Sequence, residues 1–544
     1  MKRSESFNTM AAACAAILSL CSLAWGKVIY VDDDAKAPGD GLSWETAYRF
    51  LQDSLADAKS AEKPVEIRVA QGVYKPDRDS ANPQGTGKHS RSYFSLDDGM
   101  NLLGGYAGLS AMDPNAQDVE LYQTILSGDL LGNDAPVTDP ALLMEDPTRT
   151  DNSLVMRIHG GGVRLEGCTV TAGYGGGVWV FESPSRTTSD VIISDCVFYG
   201  NCALYHTDVA AAGAVTAYSG ANIILTRCSF TANAGACGAV YADDAVVDNS
   251  RFIRNYGWLQ GGAGFLSRST LTDCVFTGNR ARIAGGALYL TSSFEGMNTV
   301  VGCVFRRNSA DGGAGAVICY GDSDVRSCVF IGNEAATVGG AGIDGDPGYL
   351  ELRNCVMAGN RAGESGGAWF SGYSGTLTVV NCTGSGNCAP EGGFLMVDHD
   401  REEASAYTLI SNCILSTRDD TIWSSDSPVE IRYSCVGEGT GGVDDSNDWL
   451  TWGPGNVQAD PCFADPGSWD SNGTLDDPND DFFVEGDYHL KSQAGRWDPT
   501  SESWIKDEVT SPCIDGGDPM AAIGQEPFPH GGRVNMGAYG GTVE

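Results

Sequence analysis

The residues most able to do chemistry sit in VDHDREE, 397–403, where Asp398, His399, Asp400 and Arg401 are consecutive. Two acids, an imidazole and a guanidinium so close together offer a metal site or an acid/base pair, on a loop leaving the strand Phe394 to Val397. A solvated charged loop uses the same residue types. A second cluster follows: residues 441–482 contain ten aspartates and no lysine or arginine. Within it Asp470, Asn472, Asp476, Asp477 and Asp480 alternate oxygen donors around Gly473, as a calcium loop does, but lack the glutamate spacing of an EF-hand. Calcium bound there would be structural and would tether the C-terminal end; an unliganded acidic loop is the competing reading. The stretch CALYHTDVAAAG, 202–213, lengthens one turn by about six residues and brings in Tyr205, His206 and Asp208, a candidate edge of a binding face.

What must position these residues is a repeat. Cysteines at 168, 196, 228, 274, 303, 328, 355, 382, 413 and 435, with Ser250 in the one vacant place, recur about every 27 residues. Such a period marks a solenoid, whose units bury their apolar faces only by stacking on neighbours. Inside a unit such as DCVFTGN, Cys274 and Phe276 alternate with Val275 and Thr277, and Gly286-Ala-Leu-Tyr-Leu follows after a turn. Period-two alternation in short runs separated by Asn and Gly predicts strands. The unit is therefore one coil of a parallel β-helix, and eleven coils at about 4.8 Å make a rod on the order of 50 Å long. Stacking like on like predicts an inward cysteine column and a phenylalanine column. Asparagines at 201, 233, 255, 279, 308, 333, 360 and 387 are expected in left-handed turns with amides bonded between coils. The Gly-Gly pairs that follow supply tight corners.

FTGN, FTAN, FIRN, FRRN and FIGN, with GGAL, GGAG and GGAW, resemble the Phe-x-x-Asn and Gly-Gly-Ala tetrapeptides of the polymorphic outer membrane proteins. The resemblance covers roughly residues 155–440. It implies a right-handed parallel β-helix of the pectate-lyase-like class. The entry segment, VIYVDDDA through TILSGDLLGND, and the closing SPCIDGGDP and GRVNMGAYGGT, are similar to the ends of secreted bacterial β-helix proteins. Ser43 is expected to cap a short helix with Tyr48, Leu51 and Leu55 on one side, closing the rod. The family's autotransporters carry a C-terminal outer-membrane barrel; the 109 residues after Cys435 have no run of ten-residue alternating strands. The domain reading is a signal peptide at 1–26, a cap and first coils at 27–150, β-helix repeats at 151–440 and an acidic, Trp-rich module at 441–544.

Enzymes of this fold class act on polysaccharides. A uronate lyase needs a basic residue and usually calcium, and Arg280, Arg282, Arg306 and Arg307 follow the asparagine turn as solvated side chains. A hydrolase needs paired acids on neighbouring coils; nothing resembles the Asn-Thr-Asp, Asp-Asp and Gly-His-Gly set of the polygalacturonases.

With 71 acidic against 34 basic residues the net charge is −37, which excludes nucleic acid as a partner. Lys2 and Arg3, the apolar run Met10 to Ala24, and Ala24-Trp25-Gly26 read as a secretion signal, and no later stretch would span a membrane. Sixteen cysteines remain after it. Stacked neighbours do not meet disulfide geometry, so the ladder thiols are expected free, with Cys462 and Cys513 as the candidate bridge. Tryptophans 449, 452, 469, 497 and 504 offer sugar-stacking platforms or the packing of a small cap. The reading that follows is a secreted or cell-envelope monomer without a cofactor other than calcium. It binds an extracellular polysaccharide or cell-surface glycan, adhesin-like and non-catalytic. The alternatives are a polysaccharide lyase or glycoside hydrolase, and a purely structural envelope component.

Overall fold

In the computed structural model, residues 26–543 are described apart from 37–38, 88–91, 182–189, 204–210, 219, 293–295, 346–347, 373–374, 399–406, 418–420, 426, 438, 446–448, 475–480 and 529. The chain winds as a right-handed parallel β-helix. Each turn visits three sheets in order. Among the described residues the first has fifteen strands, from Lys27–Val31 to Leu450–Trp452; the second has thirteen, from Gly72–Tyr74 to Cys435–Val436; the third has thirteen, from Phe94–Asp97 to Val443–Asp445. A strip of six two-residue strands, Ala234–Gly235 to Arg361–Ala362, bevels the corner between the second and third sheets.

The repeated residues form the expected columns. Phe198, Phe230, Phe252, Phe276, Phe305 and Phe330 pair in register and are fully or almost fully buried. Their rings lie parallel, with centroids 4.6–4.9 Å apart. Met357 and Gly384 take the next two places, and Phe394, just before the third-sheet strand Leu395–Asp398, fills the space Gly384 leaves. The ladder cysteines are buried and unbridged, their thiols donating to carbonyls, as Cys274 Sγ does to Thr272 at 3.2 Å. Burial raises the pKa values of Cys168, Cys196 and Cys228, the last to about 12, so these three stay protonated packing groups.

The asparagines do form a continuous ladder from 201 to 387, but not in left-handed turns. Each is buried, and the left-handed residue is the one before it, Gly278 (φ 61°) or Arg307 (φ 52°) for example. That turn frees the Asn amide to point inward. Asn279 Nδ2 donates to Phe252 O and to Asn308 Oδ1, both at 2.9 Å, and Asn308 Oδ1 also accepts the Asn279 backbone N–H at 3.0 Å.

Helix α1, Leu51–Ser60, closes the N-terminal end, burying Leu51, Leu55 and Ala58 against the first coil. Ser43 does not cap it. Its hydroxyl accepts from the Thr46 N–H in an earlier turn, and Phe50 holds the N-cap position without a side-chain bond.

The acidic C-terminal segment does not sit beyond the end of the rod. The coil continues through Leu450–Trp452, and the chain then returns along the outer face of the second sheet. Phe463, Phe483, Tyr488, Cys513, Met536 and Ala538 cover Ile331, Val356, Ala358 and Ile414. Asn354 and Asn381 donate to Gly540 O at 2.8 and 3.0 Å, and Glu485 reaches back to Arg306 at 3.0 Å. Cys462 and Cys513 are free thiols and form no bridge. Cys513 is buried in the same cluster as Cys435, whereas Cys462, in a left-handed turn held by Asp460, is half-exposed and donates to the Asp460 carbonyl.

Candidate functional site

The third sheet turns a second column outward. After each Gly-Gly-Ala corner the first strand residue points into the core and the next points out, so register aligns Trp179, Thr216, Tyr241, Phe265, Tyr289, Ile318, Ile343, Phe370, Met396 and Trp423 on ten successive coils. Six of the ten are aromatic and three aliphatic. Tyr241, Phe265 and Tyr289 stack with centroids 5.5 and 5.0 Å apart, half-buried by one another. Ile318 and Ile343 continue the stripe beneath the edges of Tyr289, Tyr320 and Phe370. Inner phenylalanines stabilise the rod, whereas the outward stripe keeps part of Trp179, Tyr241, Phe265, Tyr289, Phe370 and Trp423 in solvent, with Thr216, Ile318, Ile343 and Met396 buried between them. Asp243 and Thr291, two residues beyond Tyr241 and Tyr289, put polar side chains along one side of it.

At its N-terminal end the stripe widens into a cluster of rings. Phe181 lies parallel to His159 at 4.9 Å and to Tyr218 at 4.8 Å. The Arg157 guanidinium lies over the Tyr93 ring at 4.2 Å and the Trp179 ring at 5.4 Å. Arg157 Nε and Trp179 Nε1 are buried without a hydrogen-bond partner among the described residues. Burial lowers the His159 pKa, so its ring is neutral at pH 7. Thr216 is covered because its hydroxyl accepts from the Ala212 N–H at 3.0 Å, which brings the end of the 202–213 insertion onto the stripe. Tyr205, His206 and Asp208 lie outside the described residues.

The first sheet presents acids and arginines instead. Asp324 and Glu351 are register partners on adjacent coils, as are Arg326 and Arg353. Each acid pairs with the arginine two residues along its own strand, Asp324 with Arg326 at 3.1 Å and Glu351 with Arg353. Burial, with Glu351 nearby, raises the Asp324 pKa.

Neither sequence-predicted cluster is brought together among the described residues. Asp398 ends a third-sheet strand, exposed, and accepts from the Ser425 hydroxyl one coil on; His399, Asp400 and Arg401 lie outside the described residues. Asp470 uses an oxygen on the Asn472 N–H at 2.9 Å, while Asp476, Asp477 and Asp480 also lie outside. Arg280 pairs with Asp311 at 3.0 Å. Of the tryptophans, Trp469 anchors the returning segment through Nε1 to Gly386 O at 2.7 Å. Trp497 and Trp504 line a cavity of about 560 Å³ with Arg496, His489 and Tyr539, the last two stacked at 4.1 Å. Sequence reasoning missed Asp32, Asp33 and Asp34, whose carboxylate oxygens lie within 4.8 Å of one another. Their oxygens accept the N–H groups of Asp34, Leu109 and Val73, which ties the entry strand to two neighbouring loops.

With this geometry in view, residues 151–330 match the family described as "Right handed beta helix region". Residues 434–517, the last coil and most of the returning segment, match the family described as "Disaggregatase related". None of the curated proteins matches the chain. Among solved structures it is similar to pectate lyase Pel9A, at 13% identity over 95% of this chain and 97% of that one, TM-score 0.34. It is also similar to a rhamnogalacturonan lyase, at 13% identity over 86% and 97%, TM-score 0.35. A third likeness is to XylC in complex with xylose, at 9% identity over 86% and 89%, TM-score 0.32. Among the described residues no helix is long and apolar enough to cross a membrane.

Proposed function

We propose that this protein is a secreted or cell-surface β-helix that binds a polysaccharide along the outer face of its third sheet, without cleaving it. The observation that carries this reading is the ten-coil outward column from Trp179 to Trp423. Sugar rings offer apolar C–H faces to aromatic side chains and hydroxyls to polar neighbours. Stacked rings flanked by Asp243 and Thr291 supply both. The surrounding negative surface favours a neutral polymer there, since acidic chains are repelled.

Affinity electrophoresis against a panel of soluble polysaccharides tests it. Retardation by at least one neutral polymer is expected, weakened about tenfold or more in the Tyr241→Ala/Phe265→Ala/Tyr289→Ala variant. These side chains are stacked and half-buried, so some fall in melting temperature is expected, and an unchanged far-ultraviolet circular dichroism spectrum separates lost binding from lost fold. Retardation unchanged by the triple variant, or absent from every polymer, would sink the reading and leave a purely structural role.

Asp324 and Glu351 support a second reading, glycosidic bond cleavage on the first sheet, because two acids on neighbouring coils are the minimal set for that chemistry. Their ion pairs to Arg326 and Arg353 weigh against a free general acid. Release of reducing ends or unsaturated products from the same panel, abolished by Asp324→Asn, would establish it.

A further inference from the structure

Three cations converge at the opposite end from the acidic segment. Arg49, Lys75 and Arg78 line a cavity of about 220 Å³ in the N-terminal cap, together with Phe50, Leu51 and one acid, Asp33. In a chain with 71 acids to 34 bases, a cation normally finds a carboxylate. Arg227, Arg268 and Arg280 do so at 2.6, 2.8 and 3.0 Å. Among the described residues none of these three cap cations has a carboxylate oxygen within 4.0 Å. Arg78 Nε is buried without a hydrogen-bond partner among the described residues. Lys75 Nζ has one protein acceptor among the described residues, Leu130 O at 3.2 Å; burial lowers its pKa, with the Arg78 charge adding to that and the charges of Asp129, Asp77 and Asp151 opposing it from beyond ion-pair distance. The Arg78 N–H donates to Lys75 O at 3.3 Å, so one turn carries both side chains.

The other wall adds to this field. Phe50 and Leu51 begin the ten-residue α1, whose N-cap has no side-chain acceptor; Asp53 in its first turn, held by the Ser80 N–H and hydroxyl, offsets part of the positive helix end that faces the three cations. Asp33 turns one oxygen to the Val73 N–H at 3.2 Å, and its pKa is raised by burial. Two half-buried cations and an exposed one that share a cavity without a carboxylate partner repel one another unless an anion completes them.

We propose that this cavity binds a single oxyanion, a carboxylate, sulfate or phosphate group, held by Arg49, Lys75 and Arg78. The chemistry is the same for a free ion and for the acidic group of a saccharide, and it is independent of the third-sheet stripe.

Calorimetric titration of the full chain at low ionic strength tests it, with inorganic sulfate, inorganic phosphate and galacturonate as probes and glucose as the neutral control. Binding of at least one anion at one site per chain is expected, weakened about tenfold or more by Arg78→Gln and by Lys75→Gln, and falling as salt rises. Galacturonate alone would identify an acidic sugar; sulfate or phosphate alone, a free ion. Arg49 is exposed, so Arg49→Gln keeps the fold and should weaken binding even if Arg78→Gln does not fold. Absence of one-site binding for all three anions, or binding of unchanged strength in the Arg49→Gln/Lys75→Gln variant, would overturn the assignment.

Discussion

Replacing Asn308 by alanine is expected to cost about 4 kcal/mol of stability, among the largest single effects in the rod. The Asn308 amide is fully buried and serves three neighbours. Its Nδ2 donates to Phe276 O and Asn333 Oδ1 at 3.0 Å, and its Oδ1 accepts the Asn279 backbone N–H and Nδ2 at 3.0 and 2.9 Å. Alanine removes all four bonds; Asn333 Oδ1 keeps the residue-308 backbone N–H and Asn279 Nδ2 keeps Phe252 O, but the Asn279 backbone N–H and Phe276 O lose this partner in a dry corner, where each unsatisfied group costs about 1–3 kcal/mol before relaxation. Asn308→Asp keeps the acceptor but loses the donors and buries a charge, so it should be worse at neutral pH. A solenoid need not unfold as one unit. Amide exchange on 279–333 is therefore the sharper measurement, with protection lost over two or three coils. A loss below about 1 kcal/mol would show that the ladder contributes little beyond packing.

Asp344 is expected to make stability fall as pH rises, opposite to an ion-paired carboxylate. It points into the core in register with Cys319 and Ser371, 6% exposed, accepting from Trp369 Nε1 at 2.8 Å and from the Ser371 hydroxyl at 2.9 Å. Burial lifts its pKa from 3.8 to about 7, against the pull of those two donors. Because the folded value lies above the unfolded one, the favourable state is the protonated one. Its contribution is intact below about pH 4 and lost progressively up to about pH 7, to a total of about 4 kcal/mol. Asp344→Asn removes that dependence, since the amide oxygen still accepts from Trp369 and the Ser371 hydroxyl can rotate to accept. Urea titrations should find the variant more stable by about 3 kcal/mol at pH 8 and no more stable at pH 3.5. Equal stability of the two proteins at pH 8 would refute the buried-acid account.

The contrast between these two residues shows what could be read without coordinates. Asn308 belongs to a column because its type recurs at a fixed offset from Cys303 and Phe305, and stacking turns such recurrence into contact. Asp344 has no repeat partner of its own kind; it is buried because the strand Gly342–Gly345 inherits its orientation from coils on either side. The outward stripe was visible in principle, as Tyr241, Phe265 and Tyr289 each stand three residues after a Gly-Gly or Cys-Gly corner. Alternation within one strand says only that one face differs from the other, however, and the aromatic run emerges when coils are compared. Arg49, Lys75 and Arg78 share no local motif, and the fold of the cap brings the helix entry beside a turn 25 residues downstream. The return of residues 463–541 over the second sheet was hidden for the same reason. Its anchors, such as Asn354 to Ala538 O, lie 184 residues apart.

The outward stripe has a metric consequence. Its rings advance by one backbone hydrogen-bond step per coil, about 4.8 Å, and no side-chain substitution can change that step. On the proposed reading the third sheet is a ruler whose six partly exposed rings stand at whole multiples of that step over about 43 Å. A polymer whose pitch is commensurate with the marks engages them in succession, each engagement raising the effective concentration for the next. Avidity should climb with ligand length and level off once the ligand spans the ruler, while polymers of other pitch fall out of phase after a few marks. Selection would then be by periodicity, a property of the polymer as a whole.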